Sequence, residues 1–314
     1  MCVISGEVSS VSNTNIFCAE VSPKLQLTVY SNKVDLPSQM SFLESKPVPI
    51  SSFLEEETLS SSPPAAMILP VPKLSNTDDD SIEMVDISKL SKPVKEFDMF
   101  GRLSYTEKKN NIFFEELRAC CPKQSRSRSY SAKGIEGTFS TNSSLEVKRC
   151  GSYRYSIVPR FEDFHRISSI FNVDPSCLNY LGRFYKVNFA FLVCILDESA
   201  EYEPIAYTHP YNGKNMFIPT RHYHTHPHIS SNDDDDTTAE DWDHSIYSIS
   251  GSRDQLRVTD DSNCASKVQV ESIKSIRKPQ FENFKFNKNI RWDHLIRREI
   301  HGRFQNGDLI VSSA

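Results

Sequence analysis

Phe189-Ala-Phe-Leu-Val-Cys-Ile-Leu196 is an unbroken apolar run bounded by Asn188 and Asp197. A bilayer-spanning helix needs about 20 apolar residues, so this run is too short for one. With polar residues at both ends it predicts a strand covered on both faces. The flanking sequence supplies covers. Upstream, Phe161, Phe164, Ile167, Ile170 and Phe171 recur at three- and four-residue steps, which predicts a helix starting just after Pro159. Asp174-Pro175 predicts a second helix: a side-chain acceptor at the N-cap, then a residue with no amide hydrogen at the first helical position. Leu178, Leu181 and Phe184 form its apolar stripe. Downstream, Ile205-Ala-Tyr207 and Met216-Phe-Ile218 flank Tyr211-Asn-Gly-Lys214. Asn-Gly is the strongest short hairpin signal, because both residues tolerate positive φ. The expected fold class is therefore α+β: two helices, a buried strand and a β-hairpin over residues 151–228.

Outside this module, composition predicts less order. Hydrophobic residues make up 38% of the 314, and mean hydropathy is −0.46. Residues 1–150 carry short apolar patches separated by Ser, Glu and Asp runs without a sustained period, and read as a disordered Ser-rich regulatory tail. Within that tail, Glu107 to Leu117, carrying Phe113, Phe114 and Leu117, reads as an unstructured patch, with a transient helix serving as a short docking motif as the alternative. Residues 229–280 read as an acidic linker. Over 281–314, Trp292, Leu295, Ile296 and Ile300 set a helical stripe with Gly302 as the C-cap. A helix of about 12 residues does not stand alone, so it is expected to pack on the module.

Charge is divided rather than strong. Net charge is −5, yet residues 233–261 are acidic and residues 267–303 basic, which suits mutual screening or two different partners. The opening Met-Cys-Val-Ile-Ser-Gly-Glu has neither a basic nor a long apolar region of the signal-peptide kind. The eight cysteines contain no CxxC spacing. Both features predict a reducing compartment, cytoplasm or nucleus.

One cluster carries metal-type chemistry. His222, His224, His226 and His228 alternate with other residues, so a continuing strand places all four imidazoles on one face. Imidazole suits zinc and other transition metals, and Asp233–Asp236, Asp241, Asp243 and His244 follow as further donors. His224-Thr-His226-Pro227 is similar to the His-Ser/Thr-His-Pro core of the JAB/MPN+ zinc isopeptidases. That resemblance implies a zinc held by the two histidines and an aspartate, with an upstream glutamate activating water. The family places a Ser after seven intervening residues and an Asp three further on. Asp235 and Thr238 stand there, and the candidate glutamates, Glu198 and Glu201, follow the buried strand instead of preceding it. Gly-rich phosphate loops and a GxSxG elbow are absent.

The clearest modification signal is Arg126-Ser-Arg-Ser-Tyr-Ser131. Its arginines precede Ser129 and Ser131 at the spacing that basophilic kinases read, and it resembles a phosphoserine-adaptor ligand with Lys133 in place of the usual Pro. Arg149-Cys-Gly-Ser152 fits the looser Arg-x-x-Ser form. Ser22 and Ser62 precede prolines, and Ser230 and Ser231 precede acids. The function expected is a non-catalytic regulatory or adaptor protein. Its partners would be protein kinases and a phospho-dependent protein, and it would need no cofactor. The alternatives are a metal-binding protein or zinc-dependent hydrolase at the histidine cluster, and nucleic-acid binding through Arg291–Arg303.

Overall fold

The computed structural model describes residues 2–6, 10–35, 65–74, 82–90, 92–97, 103–108, 112–122, 145–196, 200–201, 203–224, 239–249, 255–258 and 270–312. In chain order the strands are β1 (Cys2–Ser5), β2 (Ser10–Ser22), β3 (Leu25–Asp35), β4 (Ala65–Pro72), β5 (Glu83–Met84), β6 (Lys92–Phe97) and β7 (Leu103–Lys108). They continue with β8 (Lys148–Cys150), β9 (Tyr153–Val158), β10 (Phe189–Leu196), β11 (Ala200–Glu201), β12 (Ile205–Pro210), β13 (Asn215–Ile218) and β14 (His222–His224). The last five are β15 (Ala239–Ile249), β16 (Gln255–Val258), β17 (Val270–Lys274), β18 (Leu295–Gln305) and β19 (Leu309–Ser312). Two α-helices, α1 (Ile112–Cys120) and α2 (Pro175–Phe184), accompany short 3-10 turns at Phe161–Arg166, Ser169–Phe171 and Trp292–His294.

Most described residues lie in β-sheet, so the α+β module with a disordered N-terminal half is corrected to a predominantly β fold. One six-stranded sheet runs β14-β1-β4-β10-β9-β8, and an eight-stranded sheet runs β17-β18-β15-β2-β3-β12-β5, with β11 pairing β3. Alternation along each strand sends side chains to opposite faces, and here both faces are covered. In β10, Leu192, Cys194 and Leu196 enter the core shared by the two sheets. Phe191, Val193 and Ile195 face the layer formed by α2 and the 3-10 turns. In β2, Ile16 and Cys18 face the shared core, while Phe17 and Ala19 meet α1 and the aromatic segment around Phe281, Phe284 and Trp292. Four layers result, and three apolar clusters fill the gaps between them. Each fully buried Leu, Ile, Val or Phe contributes about 1.5–3 kcal/mol.

The N-terminal residues read as a tail form the middle of this structure. β2 and β3 pair along most of their length, and β1 sits between β14 and β4. Their polar composition misled the sequence reading because the polar side chains are buried with partners. Gln26 donates to Thr28 Oγ1 at 2.9 Å and to the Phe217 carbonyl at 2.7 Å, and accepts from Phe217 N at 3.1 Å. Asn32 is likewise buried, against Tyr30 and Cys2. The stretch around Phe113, read as an unstructured patch with a transient helix as the alternative, is helix α1 and is built into the core. Its buried Glu116 accepts from Gln280 N at 3.0 Å and from the Arg277 guanidinium.

Three further corrections follow from tertiary packing. The helix expected from Pro159 is two separate 3-10 turns, whereas Asp174 caps α2 through Ser176 N at 2.7 Å, as Asp-Pro predicts. The Asn212-Gly213 turn forms, with Asn212 Oδ1 accepting from Lys214 N and Asn215 N. Its arms do not pair with each other: β12 joins the eight-stranded sheet, and β13 pairs β19 in a three-stranded sheet. The C-terminal helix is instead strand β18. Arg297, Arg298 and Glu299 are all buried there: Arg297 pairs with Glu299, and Arg298 donates to Ser248 Oγ at 2.5 Å. Charged residues taken as a solvated helix face are paired inside a sheet covered on both sides.

Candidate functional site

Two places bring chemistry-bearing side chains together. The first is a shallow depression at the β5 edge of the eight-stranded sheet, lined by Met84, Asp86, Ser88, Gly151, Tyr153 and Glu203 among others. β5 makes a two-residue ladder with β12, extended by Val85 N donating to the Ala206 carbonyl at 2.8 Å. Val85 and Leu90 are anchored in the outer aromatic core, and the turn between them is carried outward. Asp86 shapes that turn by accepting from Ser88 N at 3.0 Å and Ser88 Oγ at 2.6 Å. The Ser88 hydroxyl bond, chiefly, holds the Asp86 carboxyl below its ordinary range. On the opposite wall, Gly151-Ser152 is the two-residue connection between β8 and β9. Gly151 takes φ +57°, a conformation that side chains disfavour at the first position of such a turn. Ser152 Oγ donates to Glu203 Oε2 at 3.1 Å, and Tyr153 Oη donates to the Glu203 carbonyl. Two carboxylates reach the wall, Glu203 and Asp86, the latter also paired with Lys89 at 3.4 Å: at Gly151 a Cβ would meet Glu203 Oε2 at 3.6 Å and Asp86 Oδ1 at 3.9 Å. Burial, then the nearby Asp86, pushes the Cys150 thiol up to about 11.

The second place is a contact between the two large sheets. His222 on β14 and His244 on β15 face each other with Nε2 atoms 2.7 Å apart and rings nearly perpendicular at 73°. His244 is 1% exposed and lies against the Trp242 ring at 4.6 Å. Burial lowers its pKa to about 3, opposed by the Thr220 carbonyl acting as acceptor. Nδ1 nevertheless finds no aligned hydrogen-bond partner. The main chain of His222 is clamped by Asn306, whose Oδ1 accepts from His222 N at 2.9 Å and whose Nδ2 donates to His222 O at 2.7 Å. Alongside, Asp308 Oδ1 accepts from Thr220 N at 3.0 Å and Arg221 N at 3.1 Å, and Tyr185 donates to its other oxygen. This network fixes the approach to β14.

Of the four histidines expected on one face, His222 is placed with its side chain, and His224 is the last residue of β14. His226 and His228 lie outside the described residues, as do Asp233–Asp236. Three or more metal-type ligands do not converge among the described residues. His244, one of the further donors offered by the sequence, is brought to His222 by the contact between the two sheets. Among the phosphorylation candidates, Ser22 ends β2 and is exposed, and Ser152 is exposed on the β8–β9 turn at the rim of the depression, bonded to Glu203. Ser62, Ser129, Ser131, Ser230 and Ser231 lie outside the described residues. The aromatic residues of the nucleic-acid alternative, Phe281, Phe284, Phe286 and Trp292, are buried in the outer core. No helix among the described residues is long and apolar enough to cross a membrane.

No family model matches the sequence. Among solved structures, the chain is similar to baculovirus P35 at 13% identity over 99% of each chain, with a TM-score of 0.42. A mutated baculovirus P35 after caspase cleavage is similar at 12% identity over 97% of this chain and 98% of that one, TM-score 0.37. P35 in complex with caspase-8 is similar at 12% identity over 96% of each chain, TM-score 0.38.

Proposed function

We propose that this protein is a non-catalytic regulator that binds another protein at the β5 edge, with Ser152 as its phosphorylation switch. The observation that carries this reading is the hydrogen bond from the exposed Ser152, at the rim, to Glu203 on the wall of a depression beside an edge strand. An edge strand offers backbone donors and acceptors to an incoming extended segment, and the acidic wall favours a basic one. A phosphate on Ser152 adds about two negative charges next to Glu203 and Asp86 and repels both. The thiols fit a binding role better than a catalytic one. Burial pushes Cys2 and Cys121 up to about 11 and Cys18 and Cys177 to about 12, away from the reactive thiolate form. Free thiols at these positions accord with work in the cytoplasm or nucleus.

The test compares Ser152→Ala, Ser152→Glu and Asp86→Lys in capture and crosslinking experiments, with a kinase treatment of the parent chain and with caspase-8 included among the baits. Ser152→Ala should retain the partner, whereas Ser152→Glu, phosphorylation and Asp86→Lys should each weaken its recovery. A partner list indifferent to all four conditions rejects the depression as the docking site.

A further inference from the structure

We infer that His222 and His244 form a transition-metal site between the two large sheets, one whose donor set suits Cu(I). The two imidazoles already point Nε2 at Nε2, 2.7 Å apart, from two sheets whose geometry is fixed independently. His244 is immobilised by burial and by Trp242. His222 is half-buried on a strand whose main chain is clamped by Asn306. Without metal, one ring donates its Nε2 hydrogen to the lone pair of the other.

Metal binding needs both lone pairs. The donating ring moves its hydrogen to Nδ1 by exchange with solvent, and both neutral rings then coordinate through Nε2 with no net proton change. Metal–imidazole bonds are about 2.0–2.1 Å, so the two nitrogens must separate to about 4 Å across a linear ion, a swing of about 1 Å at His222. Coordination through Nε2 leaves the hydrogen of each ring on Nδ1.

The neighbouring donors are engaged elsewhere. Cys2 is in register with His222, but its thiol accepts from Asn32 at 3.6 Å. Asp243 accepts from Asn13 N at 2.5 Å, and His301 contacts Glu299 at 3.1 Å. Two nitrogen donors satisfy Cu(I), which accepts linear two-coordination, whereas zinc sites are built on three or four protein ligands.

The experiment uses the full chain purified without a polyhistidine tag, under anaerobic conditions. Cu(I) is titrated in competition with a chromophoric Cu(I) chelator, and Zn(II) in parallel. One equivalent of Cu(I) should bind, be lost in His222→Ala and His244→Gln, and persist in the combined His224→Ala, His226→Ala, His228→Ala variant. Because His244 is buried, its variant is accompanied by a melting curve. The ring-proton NMR signals of His222 and His244 in the unmodified chain, which should shift together on adding Cu(I), give a readout free of folding effects. Absence of stoichiometric binding, persistence in His222→Ala, loss in the triple variant or preference for Zn(II) would each overturn the assignment.

Discussion

Replacing His209 by glutamine isolates a single buried titration. His209 sits on β12 at 1% exposure, and its Nδ1 contacts the Pro210 carbonyl at 3.0 Å. Burial lowers its pKa from 6.5 to about 4, only partly opposed by that carbonyl. The unfolded chain therefore binds more protons than the folded one between these two values, and stability must rise with pH there. The contribution is fully present above pH 6.5 and is lost as pH falls through about 4. A shift of this size corresponds to roughly 3 kcal/mol in total, with a slope of about 1.4 kcal/mol per pH unit inside the window. His244, lowered to about 3 by burial, adds a slope of the same sign. Asp243, raised chiefly by burial, opposes it at the acid end. Comparing parent and variant removes both contributions. Urea unfolding at several values from pH 7 to 4.5 should give the parent a steeper loss than His209→Gln, by about 1.4 kcal/mol per unit. Glutamine retains a side-chain donor for the Pro210 carbonyl, so any offset at pH 7 does not enter the slope. Parallel profiles for the two proteins would refute the claim that a neutral imidazole is locked in this sheet.

Asp308→Ala removes the acceptor for Thr220 N, Arg221 N and Tyr185 and leaves the buried Arg221 without that carboxylate; a loss of about 3–5 kcal/mol should appear in chemical unfolding. Gly182→Ala places a Cβ 2.9 Å from Phe161 Cζ, so overpacking should outweigh the helix-propensity gain and destabilise by about 1–3 kcal/mol, read as a lowered melting temperature. Alkylation at pH 8 followed by peptide mapping should label the half-buried Cys150 ahead of Cys2, Cys18, Cys177 and Cys194, all of which are buried; uniform labelling in the native protein would show those cores to be open.

The sequence by itself determined the elements whose signals are local. The run from Phe189 to Leu196 is one strand with both faces covered, because eight continuous apolar residues bounded by polar ones are strand length and need cover on both faces. Asp174-Pro175 starts α2, and Asn212-Gly213 makes a turn, since capping and positive φ depend on neighbouring residues alone. What the turn connects was decided elsewhere: β12 and β13 enter different sheets according to long-range partners Leu25–Tyr30 and Leu309–Ser312. The Ser- and Asn-rich β2 and β3 and the charged β18 are core strands, because Gln26, Asn32 and Arg297 find buried partners distant in sequence, at Phe217, Cys2 and the Cys121 carbonyl. Mean hydropathy counts such residues as solvated and cannot register the partner. The same reason divides the histidines. Spacing grouped His222 with its near neighbours and offered His244 as a further donor, but only the apposition of two sheets brings His222 and His244, 22 positions apart, to within hydrogen-bond distance.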